Sequence, residues 1–134
     1  MSSILECKVG DQILSRKWIP TGLQLRQYAE ASGDYNPIHL DEKYAVEAGL
    51  GGVIAHGMLT MAQMGVMLTD WLQRNGRISQ FEVNFKGMVR PGDTVIFEGR
   101  IKERLGNIVR CELEAQNQEG ILVVFGTVVV ILNS

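Results

Sequence analysis

At 134 residues the chain has the length of one domain, enough for a real hydrophobic core and too short for two. Hydrophobic residues make up 46% of it, which excludes a disordered chain, and thirteen basic against fifteen acidic residues give a formal charge of -2. That balance offers no electrostatic case for nucleic acid or an anionic membrane as partner.

Cys7 and Cys111 lie far apart and match no CxxC or zinc spacing, so neither a disulfide framework nor a structural metal is expected, and a reducing compartment fits. The first residues carry no basic run followed by a long apolar segment, so no signal peptide is expected. The apolar run from Met58 to Leu72 is broken by Thr60, Gln63, Thr69 and Asp70 and falls short of a membrane span. The expectation is a soluble, cytoplasmic protein forming a single domain over residues 1–134.

In chain order, residues 11–19 predict a first strand, introduced by the Val9-Gly10-Asp11 turn and ended by Pro20. Thr21-Gly22-Leu23-Gln24 has the spacing of a capping box at a helix start. Leu25, Tyr28, Ala29 and Ser32 share one face of the helix that follows, and Gly33 can end it with positive φ. Asp34 then sits just past a helix terminus. Asn36-Pro37 is a turn signal, because proline fixes its own φ and steers the residue before it away from helix.

Asp41 can cap a short helix from Glu42 to Ala48, closed by Gly49. A long helix follows from Gly57 to about Gln73, apolar almost all round, with Asp70 its only charge. A helix hydrophobic on every side must be covered on every side.

From Ser79 the period changes to alternation. Phe81, Val83, Phe85 and Val89 share one face; Val95, Phe97 and Ile101 follow the Pro91-Gly92-Asp93 turn; Val109, Cys111, Leu113 and Ala115 follow Leu105-Gly106-Asn107. The last run, Ile121 to Leu132, is nearly all apolar and predicts a central strand buried on both faces or covered by another subunit. The pattern gives an α+β fold, an antiparallel sheet curled around one apolar helix, with dimerisation through a sheet edge expected.

Three groupings could carry chemistry. A turn at Asn36-Pro37 can bring Asp34 and His39 together, and an acid and an imidazole that converge can hold a water and exchange its proton. On spacing alone the plainer alternative, a capping aspartate and a satisfied histidine, stands ahead. In Ile54-Ala55-His56-Gly57-Met58, a glycine at a helix start offers free amides to a carbonyl oxygen that becomes negative. Its alternatives are close packing at Gly57 and, favoured for His56, a cap or backbone bond.

Asp34, His39 and His56 also make a two-histidine, one-carboxylate set, but no helical HxxxH or HxH spacing supports a metal, and none is expected. The methionines at 58, 61, 64 and 67 are core filling; Cys111 is core; Arg90 at a strand end could meet a phosphate. No P-loop, GxGxxG or GxSxG sequence is present, so no nucleotide cofactor or serine-hydrolase elbow has a candidate.

Taken together, Tyr28-Ala29-Glu30-Ala31-Ser32-Gly33-Asp34-Tyr35-Asn36-Pro37-Ile38-His39 with the later Ala45, and then Ile54-Ala55-His56-Gly57-Met58, resemble the two signature blocks of the MaoC-like, R-specific enoyl-thioester hydratases. The segment from Phe81 to Asp93 is similar to a strand and Gly-Asp turn of the same family. The bacterial 3-hydroxyacyl-thioester dehydratase B-type subunits look nearest.

The resemblance implies a hotdog fold, usually dimeric, as a homodimer or with a related hotdog subunit, acting on coenzyme A or acyl carrier protein thioesters without a cofactor. It places the chemistry on Asp34 and His39, support on Asn36 and His56, and the thioester carbonyl at the Gly57 amide. A helix hydroxyl present in some members is replaced here by Gly65. Two other readings stay open: a non-catalytic acyl-binding subunit and, less favoured, an acyl thioesterase.

Overall fold

A computed structural model describes residues 3–134. The hydroxyl of Thr21 accepts from the amide of Gln24 at 3.1 Å while the Gln24 side chain accepts from the amide of Thr21, so the capping box starts the first helix, α1, at Gly22–Ser32. Leu25 and Ala29 bury its inner face. Gly33 closes it at φ 78°, a conformation that costs glycine nothing.

Asp41 caps α2, Glu42–Glu47, by accepting from the amide of Tyr44. The long apolar helix, α3, runs Gly57–Leu72.

Among the described residues the strands are β1 (Arg16–Trp18), β2 (Gly76–Phe85), β3 (Val95–Leu105), β4 (Ile108–Gln116) and β5 (Leu122–Leu132). They form one antiparallel sheet in the order β1-β3-β4-β5-β2. The alternating residues predicted to face inward do so: Val95, Phe97 and Ile101, then Val109, Cys111, Leu113 and Ala115, are buried. With Val124, Val128, Val130 and Leu132 they meet Met64, Met67, Leu68 and Leu72 of α3 in one core. The α+β arrangement, a sheet curled around the apolar helix, is the expected one. No helix among the described residues is long and apolar enough to cross a membrane.

Three expectations change. The first strand is not continuous over 11–19: Gln12 bridges Arg100 and Arg16 pairs with Phe97, four steps on one side against three on the other. The extra residue bulges the chain between them and leaves β1 only three residues long. The long helix ends where expected, with Gln73 as its cap at φ 50° and ψ -123°, but β2 begins three residues earlier than the alternation suggested.

Within this chain α3 is not covered on every side, because Met58 and Val66 are 59% and 37% exposed. β5 is internal, between β4 and β2, as expected of a central strand, and its outer face at Phe125, Thr127, Val129 and Ile131 is half buried, which leaves the second expected alternative, cover by another subunit. Both surfaces fit the expectation of cover from a second subunit.

Candidate active site

The site begins where α1 stops. Past Gly33 the amide of Asp34 donates to Ser32 Oγ at 3.2 Å, and the amide of Asn36 donates to Asp34 Oδ1 at 3.2 Å. This local ring fixes the carboxylate and leaves Oδ2 free to face elsewhere. Asn36 in turn accepts from the amide of Ile38 at 3.1 Å and so caps a 3₁₀ turn over Pro37–His39, with proline at its first position. The Asn-Pro pair thereby turns the chain back and brings His39 to Asp34.

His39 is buried, at 9% exposure, while the Asp34 side chain is 50% exposed. Asp34 Oδ2 and His39 Nε2 stand 3.9 Å apart, beyond a direct hydrogen bond. His39 Nδ1 lies 2.7 Å from the carbonyl oxygen of Ile54. A carbonyl only accepts, so Nδ1 carries a proton, and in the neutral form of the ring Nε2 presents a lone pair toward the carboxylate. Two acceptors facing each other at that distance suit a bridging group with two protons to donate.

His56 is 1% exposed. It precedes α3 but caps it with no side-chain hydrogen bond; instead its Nε2 donates to the backbone carbonyl of Asp34 at 3.1 Å. That backbone bond is one of the alternatives the sequence left open. Its ring stacks on His39 with centroids 3.9 Å apart, and the Tyr28 ring packs at 4.8 Å.

Burial pushes the pKa of His56 down, the bond to the Asp34 carbonyl opposes this, and the neighbouring His39 lowers it further. His56 Nδ1 is buried and, among the described residues, has no partner. A neutral ring is the form this setting favours.

The first residue of α3, Gly57, has its amide among the four that an α-helix leaves without an internal acceptor. The packing alternative also holds for it: a Cβ there would lie 3.1 Å from Cζ of Phe85, tighter than ordinary contact. Beside it is a pocket of about 170 Å³, about half open to solvent, whose wall includes His39, Gly57, Thr60, Phe85, Val89 and Val124. The loop carrying Ile54 and Ala55 is laced into place, the Ile54 amide donating to Ile38 and the Ala55 amide to Val89.

Arg90 is not free for a phosphate. Its guanidinium donates to the carbonyls of Leu50 and Gly52 and ties this loop to the turn after β2. Metal-ligand atoms of Asp34, His39 and His56 all lie within 4.8 Å of one another. Yet the imidazole planes are only 25° from parallel and stacked, so their in-plane lone pairs run side by side rather than converge on one ion.

The structure thus brings together Asp34, Asn36, His39, His56 and Gly57 and adds Thr60, Phe85, Val89 and Val124, which sequence reasoning treated as scaffold. The only trace of a role in the sequence is Thr60, a hydroxyl in the first turn of an otherwise apolar helix.

The description MaoC like domain matches residues 6–119. The R-hydratase PhaJ1 from Pseudomonas aeruginosa superposes with a TM-score of 0.89 at 29% identity, over 96% of this chain and 84% of that one. A 3-hydroxybutyryl-CoA dehydratase of Methylorubrum extorquens is 38% identical over 88 residues, 64% of this chain and 55% of that protein. The fatty acid synthase beta subunit TOXC of Cochliobolus carbonum is 36% identical over 94 residues, 69% of this chain.

The chain spans about half of the bacterial dehydratase and 4% of the fungal subunit. The shared architecture is the hotdog fold, helix and curled sheet alike. By family match, fold and the two sequence blocks that build this site, the chain belongs to the MaoC-like domain family.

Proposed function

We propose that the chain catalyses reversible syn hydration of a trans-2-enoyl thioester to the (R)-3-hydroxyacyl thioester, on coenzyme A or acyl carrier protein. The observation that carries this is the Asp34 Oδ2 to His39 Nε2 separation of 3.9 Å, with His39 Nδ1 held by Ile54. A water about 2.8 Å from each can donate one proton to the carboxylate and one to the imidazole.

As the water oxygen bonds to C3, the pair takes one of its protons and returns it to C2; the other remains on the new hydroxyl. Both arrive from the same side, which makes the addition syn. The thioester oxygen gains negative charge meanwhile and accepts from the Gly57 amide at the positive end of α3, an interaction of about 3 kcal/mol in favourable cases. Asn36 and His56 act through position: the first fixes the Asp34 turn, the second holds the Asp34 carbonyl and backs the His39 ring. No metal or cofactor enters this scheme.

In this reading residues 1–134 form one cytoplasmic domain, in keeping with free Cys7 and Cys111, and it works as a homodimer or beside a related hotdog subunit. The open face of α3 at Met58 and Val66 supports the dimer. It equally favours a second reading, in which the chain is the acyl-binding subunit of a heterodimer and turns over nothing alone.

The test is incubation with crotonyl-CoA, following loss of the conjugated enoyl absorbance and resolving the product on a chiral column. Accumulation of the (R)-3-hydroxybutyryl thioester is expected. Release of free thiol points instead to a thioesterase, and no turnover without a second chain supports the subunit reading.

A further inference from the structure

Resting on the hydration reading, we propose that the Thr60 hydroxyl is a second donor to the thioester oxygen, beside the Gly57 amide, and so a further catalytic residue. Thr60 is 3% exposed and stands on the wall of the pocket that also holds His39 and Gly57. It follows Gly57 by three residues in α3, so the two share a helix face. Side chains of a helix lean back toward its N-terminus, which carries the one at Thr60 over the turn where Gly57 leaves its amide free. Glycine places no side chain between that amide and the hydroxyl.

Among the described residues the hydroxyl proton finds only the carbonyl of His56, at 3.4 Å. An ordinary O–H···O bond spans about 2.5–3.0 Å. The same carbonyl already accepts from the amides of Leu59 at 3.1 Å and Thr60 at 3.2 Å, which occupies both of its lone pairs. On the pocket wall the side chains of Phe85, Val89 and Val124 have no acceptor to offer, and the neutral His39 ring turns its lone pair toward Asp34. A buried donor without a proper acceptor destabilises a fold, so one kept on a pocket wall points to an acceptor that arrives with the substrate.

The thioester oxygen is that acceptor. It gains negative charge as water adds to C3, so a donor aimed at it binds more tightly in the transition state than in the bound substrate. Threonine in a helix has two accessible χ1 wells, and Oγ1 can swing from the His56 carbonyl to the oxygen with the backbone fixed.

The experiment compares wild type with Thr60→Val and Thr60→Ser in two measurements. One is steady-state kinetics on crotonyl-CoA. The other is the infrared stretch of the isotope-labelled carbonyl of bound butyryl-CoA, which does not react. Removing one donor of this kind costs about 100- to 1,000-fold in kcat, so Thr60→Val is expected to lose about 100-fold in kcat with KM little changed. Thr60→Ser is expected to recover most of that loss. The bound carbonyl is expected at higher frequency in Thr60→Val than in the other two, because one donor fewer polarises it. Valine keeps the shape and drops a poorly bonded hydroxyl, so Tm is expected to hold or rise. If Thr60→Val does not fold, Thr60→Ala against Thr60→Ser isolates the hydroxyl instead.

A wild-type kcat in Thr60→Val overturns the proposal, and so does a carbonyl frequency that does not move. A fall in kcat with a lower Tm and an unmoved frequency assigns the hydroxyl to structure. Absence of turnover by wild type contradicts the hydration reading, and the carbonyl frequency then still decides whether Thr60 donates. Absence of both turnover and butyryl-CoA binding contradicts both.

Discussion

The ring of His39 lies against the ring of His56, with centroids 3.9 Å apart and planes 25° from parallel, and the same His56 donates to the carbonyl of Asp34. One buried side chain therefore braces both members of the proposed acid-base pair. His56→Phe keeps a ring behind His39 but removes the donor to Asp34. A displacement of about 1 Å in such a site costs up to about 100-fold, so kcat is expected to fall about 10- to 100-fold with KM little changed. His56→Gln, which retains an N–H, is expected to recover part of the loss. A purely structural role predicts a lower melting temperature with kcat per folded molecule unaltered.

The same residue sets a pH dependence of stability. Burial, the largest cause, holds His56 below its ordinary value of 6.5, partly offset by the Asp34 carbonyl and by the Asp34 charge and reinforced by His39. The Tyr28 ring is its other neighbour. The unfolded chain then binds a proton near 6.5 that the folded chain resists, so stability is full above that pH and declines as pH falls below it toward the depressed folded value. Thermal melts between pH 7 and pH 5 are expected to drop more steeply for wild type than for His56→Phe. Equal slopes contradict the assignment.

Gln73 ends α3 at φ 50° and ψ -123°, a conformation glycine adopts freely and a residue with a Cβ does not. Holding a side chain there costs on the order of 1–3 kcal/mol. Gln73→Gly is expected to stabilise the protein by about 1 kcal/mol after the added freedom of the unfolded chain is counted, which is a rise of about 4 °C in Tm. Differential scanning calorimetry reads this directly, and an unchanged or lower Tm removes the strain argument.

Met58, Ala62 and Val66 are spaced by four along α3 and form an open apolar stripe. If a second subunit covers it, Val66→Glu is expected to reduce the mass measured by sedimentation equilibrium to that of one chain. An exposed position changes the stability of the single chain by only about 0.5 kcal/mol. A wild-type protein that already sediments as one chain contradicts cover by a second copy, and a partner of related fold then becomes the candidate.

Much of this was legible because it is local. The capping box at Thr21, the positive φ at Gly33, the Asp41 cap and the alternation through β3 and β4 each depend on residues within a few positions of one another. The meeting of Asp34 and His39 was open to local reading, since Asn36-Pro37 turns the chain between them, but on spacing alone it stood behind the plainer alternative and it took the family resemblance to favour it.

What was not legible joins distant segments. His56 bonds a carbonyl 22 residues away, and Arg90 is engaged by carbonyls 38 and 40 residues back, with nothing local to announce either. Phe85 and Val124 face a cavity only because β2 and β5 pair in one register. The bulge before β1 comes from its fit to β3, and the turn and proline that bounded residues 11–19 as one strand carry no sign of it.

The central claim, that Asp34 and His39 move the proton of one water, is tested most directly by kcat/KM for crotonyl-CoA in wild type, Asp34→Asn and His39→Ala, with folding checked by circular dichroism. General acid-base groups contribute about 100- to 10,000-fold, so each variant is expected to lose at least about 100-fold while staying folded. Rates undiminished in both folded variants would contradict the account.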